Sequence, residues 1–479
     1  MQRRAVLKPT LRQAAAGVAA VCALAVGGPV AAGTPSSVDS TKSIGSVPLR
    51  TPESFVAKRR GLRTIAEILA QNGIQTLGGR FFMEPPSNQG FVISTHTIHE
   101  NLISGQEWDD NTFSANNYRH PWQGGMYFDA ARANGYDFWA SSMFSFAGSA
   151  LWEYTGEAHH PSYNDMINTH VGGIAFGEVM FRLSSMVLDN TATGSNRAWR
   201  ELGALAISPT RGFNRMFTGE AFKVHANPPD RIPSVHQFGF DVGVRTLGED
   251  RLWSSSQTRM FIGVEGQYGD RFRDLARPFD NFAFGLRLNL KSDPKNLGRI
   301  LMHGVLGGRS LGDTATHQHI IAAYQDLDYI DNDAYTYGGQ SFGVGYQSRF
   351  ATSSQTALRT ALFANGILLG ATKSDYASVS GRDYDYGPGM GFKFVASMSR
   401  NGREVFSLAH ESYYIHSVSG NDMDSYVNFS TVRVLAPAKD WFTIGVDYTL
   451  YHAERRYALY PDVTTRNPEL HAYLAWRID

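Results

Sequence analysis

Cysteine is nearly missing from this chain: one residue, Cys22, in 479. It lies in an apolar stretch near the N-terminus and follows Val21 rather than a small residue, so it is a poor lipid acceptor. Beyond that stretch there is no thiol, which excludes disulfides and thiolate metal sites. Metal binding by His and carboxylate stays open in principle. An excess of one charge is also missing, since Lys plus Arg and Asp plus Glu both number 44. Nucleic-acid binders usually carry a basic excess or patch, so no nucleic-acid partner is expected. Past the N-terminal segment, no run reaches the roughly eighteen unbroken apolar residues that a membrane helix needs. Phosphate-loop, HExxH and calcium-loop patterns are absent. No cofactor and no resident metal are expected from motifs.

What is present falls into four zones. Residues 1–32 read as a secretory signal: Arg3, Arg4, Lys8 and Arg12, then an apolar core from Ala14 to Val26, then the small residues of Val30-Ala31-Ala32. Residues 33–57 are rich in Ser, Thr, Pro and Gly and read as a flexible linker. Residues 58–225 read as a mainly helical domain. Its expected helices run from Lys58 to Gln71 with Gly73 as C-terminal cap, from Pro121 onward, from Phe138 to Tyr154, and from Asn164 to Leu188. Small residues on their faces (Ser145, Gly148 and Ser149; Gly173 and Gly177) allow close helix approach.

From about residue 230 to 479 the apolar period changes from 3.6 to 2. Phe282, Phe284, Leu286, Leu288 and Leu290 alternate with Ala283, Gly285, Arg287 and Asn289. Phe442, Ile444, Val446, Tyr448 and Leu450 repeat the pattern, as do residues 236 to 244. About twelve such segments occur, each near the roughly nine to eleven residues of a tilted transmembrane strand. Turn signals such as Asn401-Gly402 and Ser419–Asp422 separate them. The predicted fold is therefore α+β by halves: an N-terminal helical domain, then an antiparallel outer-membrane-type β-barrel of about twelve strands. Its lumen should carry Asp241, Arg245, Glu265, Arg287, Arg433 and Asp447, paired with one another or with a plug. Tyr268, Tyr346, Trp441, Tyr451 and Trp476 are placed as interfacial aromatics. The chain ends Trp476-Arg477-Ile478-Asp479 rather than on an aromatic residue, a departure from the usual barrel.

HPWQGGMYFDAARANGYDFWASS from His120, GSALWEYTGE, and PSYNDMINTHVGGIAFGE resemble a family of exported bacterial envelope proteins named only as a domain of unknown function. The resemblance is strong over roughly residues 95 to 200 and weaker at RDYDYGPGMGF in the strand-rich half. It implies an envelope location, with helices preceding strands, and brings no catalytic residue. The cell outer membrane is thus the expected location, with the periplasm as alternative. Outer-membrane lipid is the expected partner, and other envelope proteins are further candidates.

One polar stretch stands between apolar segments: WEYTGEAHHPSYND, from Trp152 to Asp165. On one helix, Glu153 and Glu157 would share a face. Two such carboxylates raise one another's proton affinity unless a cation lies between them. They could serve as a general acid/base pair or bind a metal with a histidine; His120, His159, His160 and His170 are candidates to complete them. His120 precedes Pro121 and should be held extended at a helix entrance. A purely structural account also fits: Gly156 ends the helix, Ser162 caps the next one, and Asp165 answers it three residues on. Two functions follow. The first is an envelope barrel with a helical plug or periplasmic base, in a structural, transport or lipid-handling role without catalysis. The second is an envelope enzyme acting on lipid or cell-wall material through His120, Glu153 and Glu157.

Overall fold

The computed structural model describes residues 58–478, apart from 86, 229–230, 254–256, 291–295, 315, 333 and 377–380. The expected signal at 1–32 and the linker at 33–57 lie outside the described residues.

Twelve strands follow in order: β1 (His236–Leu247), β2 (Gln257–Tyr268), β3 (Phe282–Leu290), β4 (Leu297–Asp313), β5 (His317–Asp331) and β6 (Thr336–Ala351), then β7 (Thr356–Lys373), β8 (Tyr384–Arg400), β9 (Arg403–His416), β10 (Met423–Lys439), β11 (Phe442–Tyr457) and β12 (Val463–Ile478). Each pairs antiparallel with its neighbours in sequence, and β1 pairs with β12, so the barrel closes. Closure leaves no sheet edge with unpaired backbone groups, the condition for crossing lipid with strands. Asn401 and Gly402 both take positive φ, 52° and 73°, and turn β8 into β9 as a two-residue hairpin. No helix among the described residues is long and apolar enough to cross a membrane.

The period-two pattern decides which side faces where. Ile444, Val344, Phe392 and Met390 point outward and are exposed, as a lipid-facing wall requires. Asp447 points inward, where Arg433 grips it through two nitrogens at 3.0 and 3.1 Å, with Glu265 at 3.4 Å from the same guanidinium. Arg245 meets Glu469 at 2.5 Å, and Lys393 lies 3.2 and 3.0 Å from Asp326 and Asp328. Two aromatic layers flank these charges. One holds Tyr335, Tyr337, Tyr413 and Phe429. The other holds Tyr324 and Phe363 with Phe272 and Leu275, which the loop between β2 and β3 tucks inward.

Two of the expected interfacial aromatics are placed differently. Tyr451 faces the lumen and donates to Glu469 at 3.0 Å, and Tyr268 is buried against Phe282. Tyr451 sits one residue past an outward position, so the alternation turns its ring inside. Trp441 stays exposed at the β10–β11 turn, and Trp476 packs against Phe442 and Phe240.

Eight α-helices precede the barrel among the described residues: α1 (Gly61–Phe82), α2 (Thr95–Ile103), α3 (His120–Ala133), α4 (Phe138–Thr155), α5 (Tyr163–Ile167), α6 (Gly173–Val187), α7 (Gly194–Ile207) and α8 (Pro209–Phe217). α1 runs through Gly73, which does not cap it; glycine inside a helix costs only about 1 kcal/mol against alanine. Wide π turns at Ala115–Arg119 and Asn168–Gly172 lead directly into α3 and α6.

Two compact units divide the chain. One comprises Met1–Ile68, Asp129–Ser141 and Met180–Ile232; the other comprises Leu69–Phe128, Ser142–Val179 and Pro233–Asp479. The division runs through α1, α3, α4 and α6 instead of separating helices from strands. In the first unit, Arg197 donates to the carbonyls of Ala221, Glu220, Lys223 and Asp189, and Glu67 accepts from Asn134 and Asn214.

In the second unit the helical segments do not fill the barrel. They cover its outer wall over one end of β5, β6 and β8. Gln325 donates to the Val171 carbonyl at 2.8 Å, and Phe113 packs on Tyr329 with centroids 5.3 Å apart. Asn116 donates to the Tyr384 hydroxyl at 2.8 Å. Asn117 and Asn168 donate to that of Tyr386 at 3.4 and 3.3 Å, and Trp108 stacks on the same ring. By register these wall residues share the outward face with Phe342 and Met390. These second-unit segments thus lie against the outward face, where Tyr and Gln side chains meet helix-borne asparagines and a carbonyl, and they do not form the plug, one of the two expected roles, plug or periplasmic base.

Candidate functional site

α4 stops at Thr155, where the Gly156 amide closes the last turn on the Trp152 carbonyl at 2.7 Å. Glu153 therefore lies in the final helical turn and Glu157 lies beyond it, so the two do not form a helical pair. The chain then returns through Pro161 beside residues 107–109: the Glu107 amide donates to the Pro161 carbonyl, and the Tyr163 amide to that of Glu107, each at 2.9 Å. Ser162 caps α5, its Oγ accepting from the Asp165 amide at 3.2 Å. The Ser162 amide is answered by Glu153 rather than Asp165, donating to Glu153 Oε2 at 2.9 Å.

His120 is helical (φ −64°, ψ −48°) instead of extended, although Pro121 follows it. Its amide donates to the Ala115 carbonyl five residues back, closing the π turn. A proline ring normally clashes with the carbonyl four residues before it; the wider turn gives it room. This turn aims His120 at α5: Nε2 lies 3.6 Å from Asp165 Oδ1, and Nδ1 is 3.3 Å from the Thr169 hydroxyl.

His120, Glu153 and Asp165 therefore converge, with ligand-type atoms within 4.8 Å of one another, and all three are buried. Asp165 also accepts from Asn164 at 2.8 Å. Glu153 Oε1 is buried with no hydrogen-bond partner. Burial pushes the Glu153 carboxyl well above its ordinary range, and Asp165 and Glu157 push it further. Burial likewise raises Asp165 to about 6, with His120 opposing and Asp109 adding. Glu157 is raised by burial and then by Asp165 and Asp109.

Other candidates lie elsewhere. His160 bonds Glu107 at 2.9 Å and is exposed; His170 bonds the Ser142 hydroxyl at 3.2 Å, and burial lowers its proton affinity. His159 lines an open hollow of about 520 Å³ with Ser87, Gln89 and Gly90. Asp165 as the third member, and Asp109 nearby, escaped sequence reasoning. The capping pattern at Ser162 explained Asp165 too readily, and the turn that brings Glu153 back to Ser162 has no sequence signature. Gly339–Gly343 spells GxSxG, yet it lies within β6, and Ser341 is buried against Asn365 at 3.2 Å. A nucleophile elbow needs a strand-to-helix turn, so this match carries no chemistry.

A helical N-terminal part followed by a closed, antiparallel, twelve-stranded barrel of outer-membrane type defines the class of this protein. Within the helical part, residues 105–210 match the model of a family described as a domain of unknown function (DUF3943). No curated protein matches the chain. Among solved structures it is similar to the KdgM porin, at 8% identity over 50% of this chain and 99% of that one, with a TM-score of 0.25. It is also similar to the NanC porin (6% identity, 50% and 100% covered, TM-score 0.28). A third is the toluene transporter TodX of Pseudomonas putida (7% identity, 52% and 90% covered, TM-score 0.22). At those scores the likenesses add nothing to the strand pairing itself.

Proposed function

We propose that this chain is an outer-membrane protein whose barrel is anchored in lipid and shut to free diffusion, with a structural or lipid-handling role in the envelope. The observation that carries this reading is a lumen crossed by side-chain contacts between separate strands, Lys393 with Asp326 and Arg299 with Glu411. A layer of ion pairs (Asp326, Asp328, Lys393, Glu411, Arg299) lies between two aromatic layers, all supplied by the wall and one inward loop. The hollow among Arg245, Arg287, Asn332 and His471 holds about 10 Å³, no more than one water. The exposed apolar outer face supports the membrane location. The test is conductance of the purified full chain in a planar lipid bilayer. It should insert, migrate heat-modifiably on gels, and pass no steady current; stable porin-like steps would overturn the closed reading.

The alternative, an envelope enzyme acting on lipid or cell-wall material, draws on His120, Glu153 and Glu157. Its support is the buried, imperfectly paired Glu153. Against it, Glu157 is not part of the cluster that His120 and Glu153 form with Asp165, and Glu153 accepts from the Ser162 backbone amide in a buried setting.

A further inference from the structure

We propose that His120, Glu153 and Asp165 bind one divalent transition-metal ion of the zinc class. Three observations carry the proposal. The ligand-type atoms of the trio lie within 4.8 Å of one another, and His120 Nε2 to Asp165 Oδ1 is 3.6 Å. Around tetrahedral zinc, with bonds of about 2.1 Å, neighbouring ligand atoms sit roughly 3.4 Å apart, so small side-chain movements complete the geometry. Second, Glu153 is fully buried, and its Oε1 has no partner. An uncompensated buried carboxylate is very costly, and a cation among these atoms removes the deficit. Third, each ligand side chain has an outer hydrogen-bond partner, which for Asp165 shares the Oδ1 that faces His120. Thr169 meets His120 Nδ1, the Ser162 amide holds Glu153 Oε2, and Asn164 donates to Asp165. Such outer partners fix ring and carboxylate orientation in metal centres.

The donor set selects the ion. Carboxylates alone would suit calcium or magnesium, but a buried imidazole nitrogen favours zinc and its first-row neighbours. The site lies in the helical part and does not depend on whether the lumen is open or closed.

The experiment uses the untagged full chain, folded in detergent, stripped with a chelator and dialysed against Zn²⁺. Bound metal is counted by mass spectrometry, and Co²⁺ replacement is followed by visible absorption. One zinc per chain and a cobalt band of nitrogen–oxygen ligation are expected. Glu153→Gln and Asp165→Asn should each lose the bound ion. Thr169→Val, which removes only an outer partner, should weaken binding by about 10- to 100-fold. A His317→Ala/His319→Ala variant, altering a stacked histidine pair on β5, should keep the metal. Less than 0.2 zinc per folded wild-type chain, roughly background for a site that binds its metal tightly, would overturn the proposal. So would loss of metal in the β5 variant, or Ca²⁺ or Mg²⁺ displacing zinc at equal concentration. The wild-type count needs no variant to fold.

Discussion

Lys393 shows how far single side chains carry this structure. Its ammonium sits between Asp326 and Asp328, and Asp326 also accepts from Asn365 and His303. Removing one partner of a buried ion pair leaves the other charge without compensation, which costs about 3 to 5 kcal/mol. Lys393→Ala should therefore lower the urea midpoint of vesicle-folded protein sharply. Arg456→Ala, at an exposed pair with Glu454, should leave that midpoint unchanged. Equal effects would mean that the lumen is wet enough to screen its charges. Glu153 obeys the same logic in the helical part, where a buried oxygen without a partner needs a cation or a proton.

At the scale of elements, close approach governs the helices. α3 crosses the π turn before α6 at Gly124 and Gly173, where a Cβ on Gly124 would lie 1.6 Å from the Thr169 carbonyl oxygen. Backbone cannot yield to that contact, so Gly124→Ala should abolish folding of this crossing. In α1, a Cβ on Gly78 meets nothing within 4 Å; Gly78→Ala should stabilise by about 0.5 to 1 kcal/mol. Thermal unfolding followed by circular dichroism separates the two. These elements also mark what a sequence makes legible. Strands such as Phe282–Leu290 match their alternation because a closed barrel wall has an outer and an inner face, so successive side chains meet different surroundings. The helix of Phe138–Thr155 was legible from its apolar length. The π turns were not: five-residue closure depends on which carbonyl the His120 amide finds, and sequence spacing pointed to an extended residue before Pro121. The trio of His120, Glu153 and Asp165 was half legible. Two members stood out as polar residues among apolar ones, whereas the third was already accounted for as a helix cap.

For the whole molecule, the outer wall carries two kinds of surface, and they predict opposite responses. Val344 and Phe342 lie on the exposed apolar face of β6; on the same face, two residues before Phe342, Gln340 is buried near Gly172. An arginine at Val344 should cost about 2 to 4 kcal/mol if it meets the bilayer midplane, and it should impair insertion itself. Tyr386 belongs to the covered end. Its hydroxyl accepts from Asn117 and Asn168, and Trp108 stacks on its ring at 5.8 Å. Tyr386→Ala removes the hydroxyl that accepts from Asn168, at a cost of about 1 to 3 kcal/mol, along with the stacking, while Asn117 keeps the Phe113 carbonyl. The strand pairing of β8 with β7 and β9 does not depend on that side chain. The barrel should therefore still form and migrate heat-modifiably, while residues 105–120 become open to protease in the folded, membrane-inserted protein. Val344→Arg should show the reverse: poor insertion, but in whatever fraction inserts, a protected helical segment. Protease resistance of 105–120 in inserted Tyr386→Ala protein would mean that the helices hold together without the wall, and that the outer cover is an accidental contact rather than a structural bond between helices and barrel.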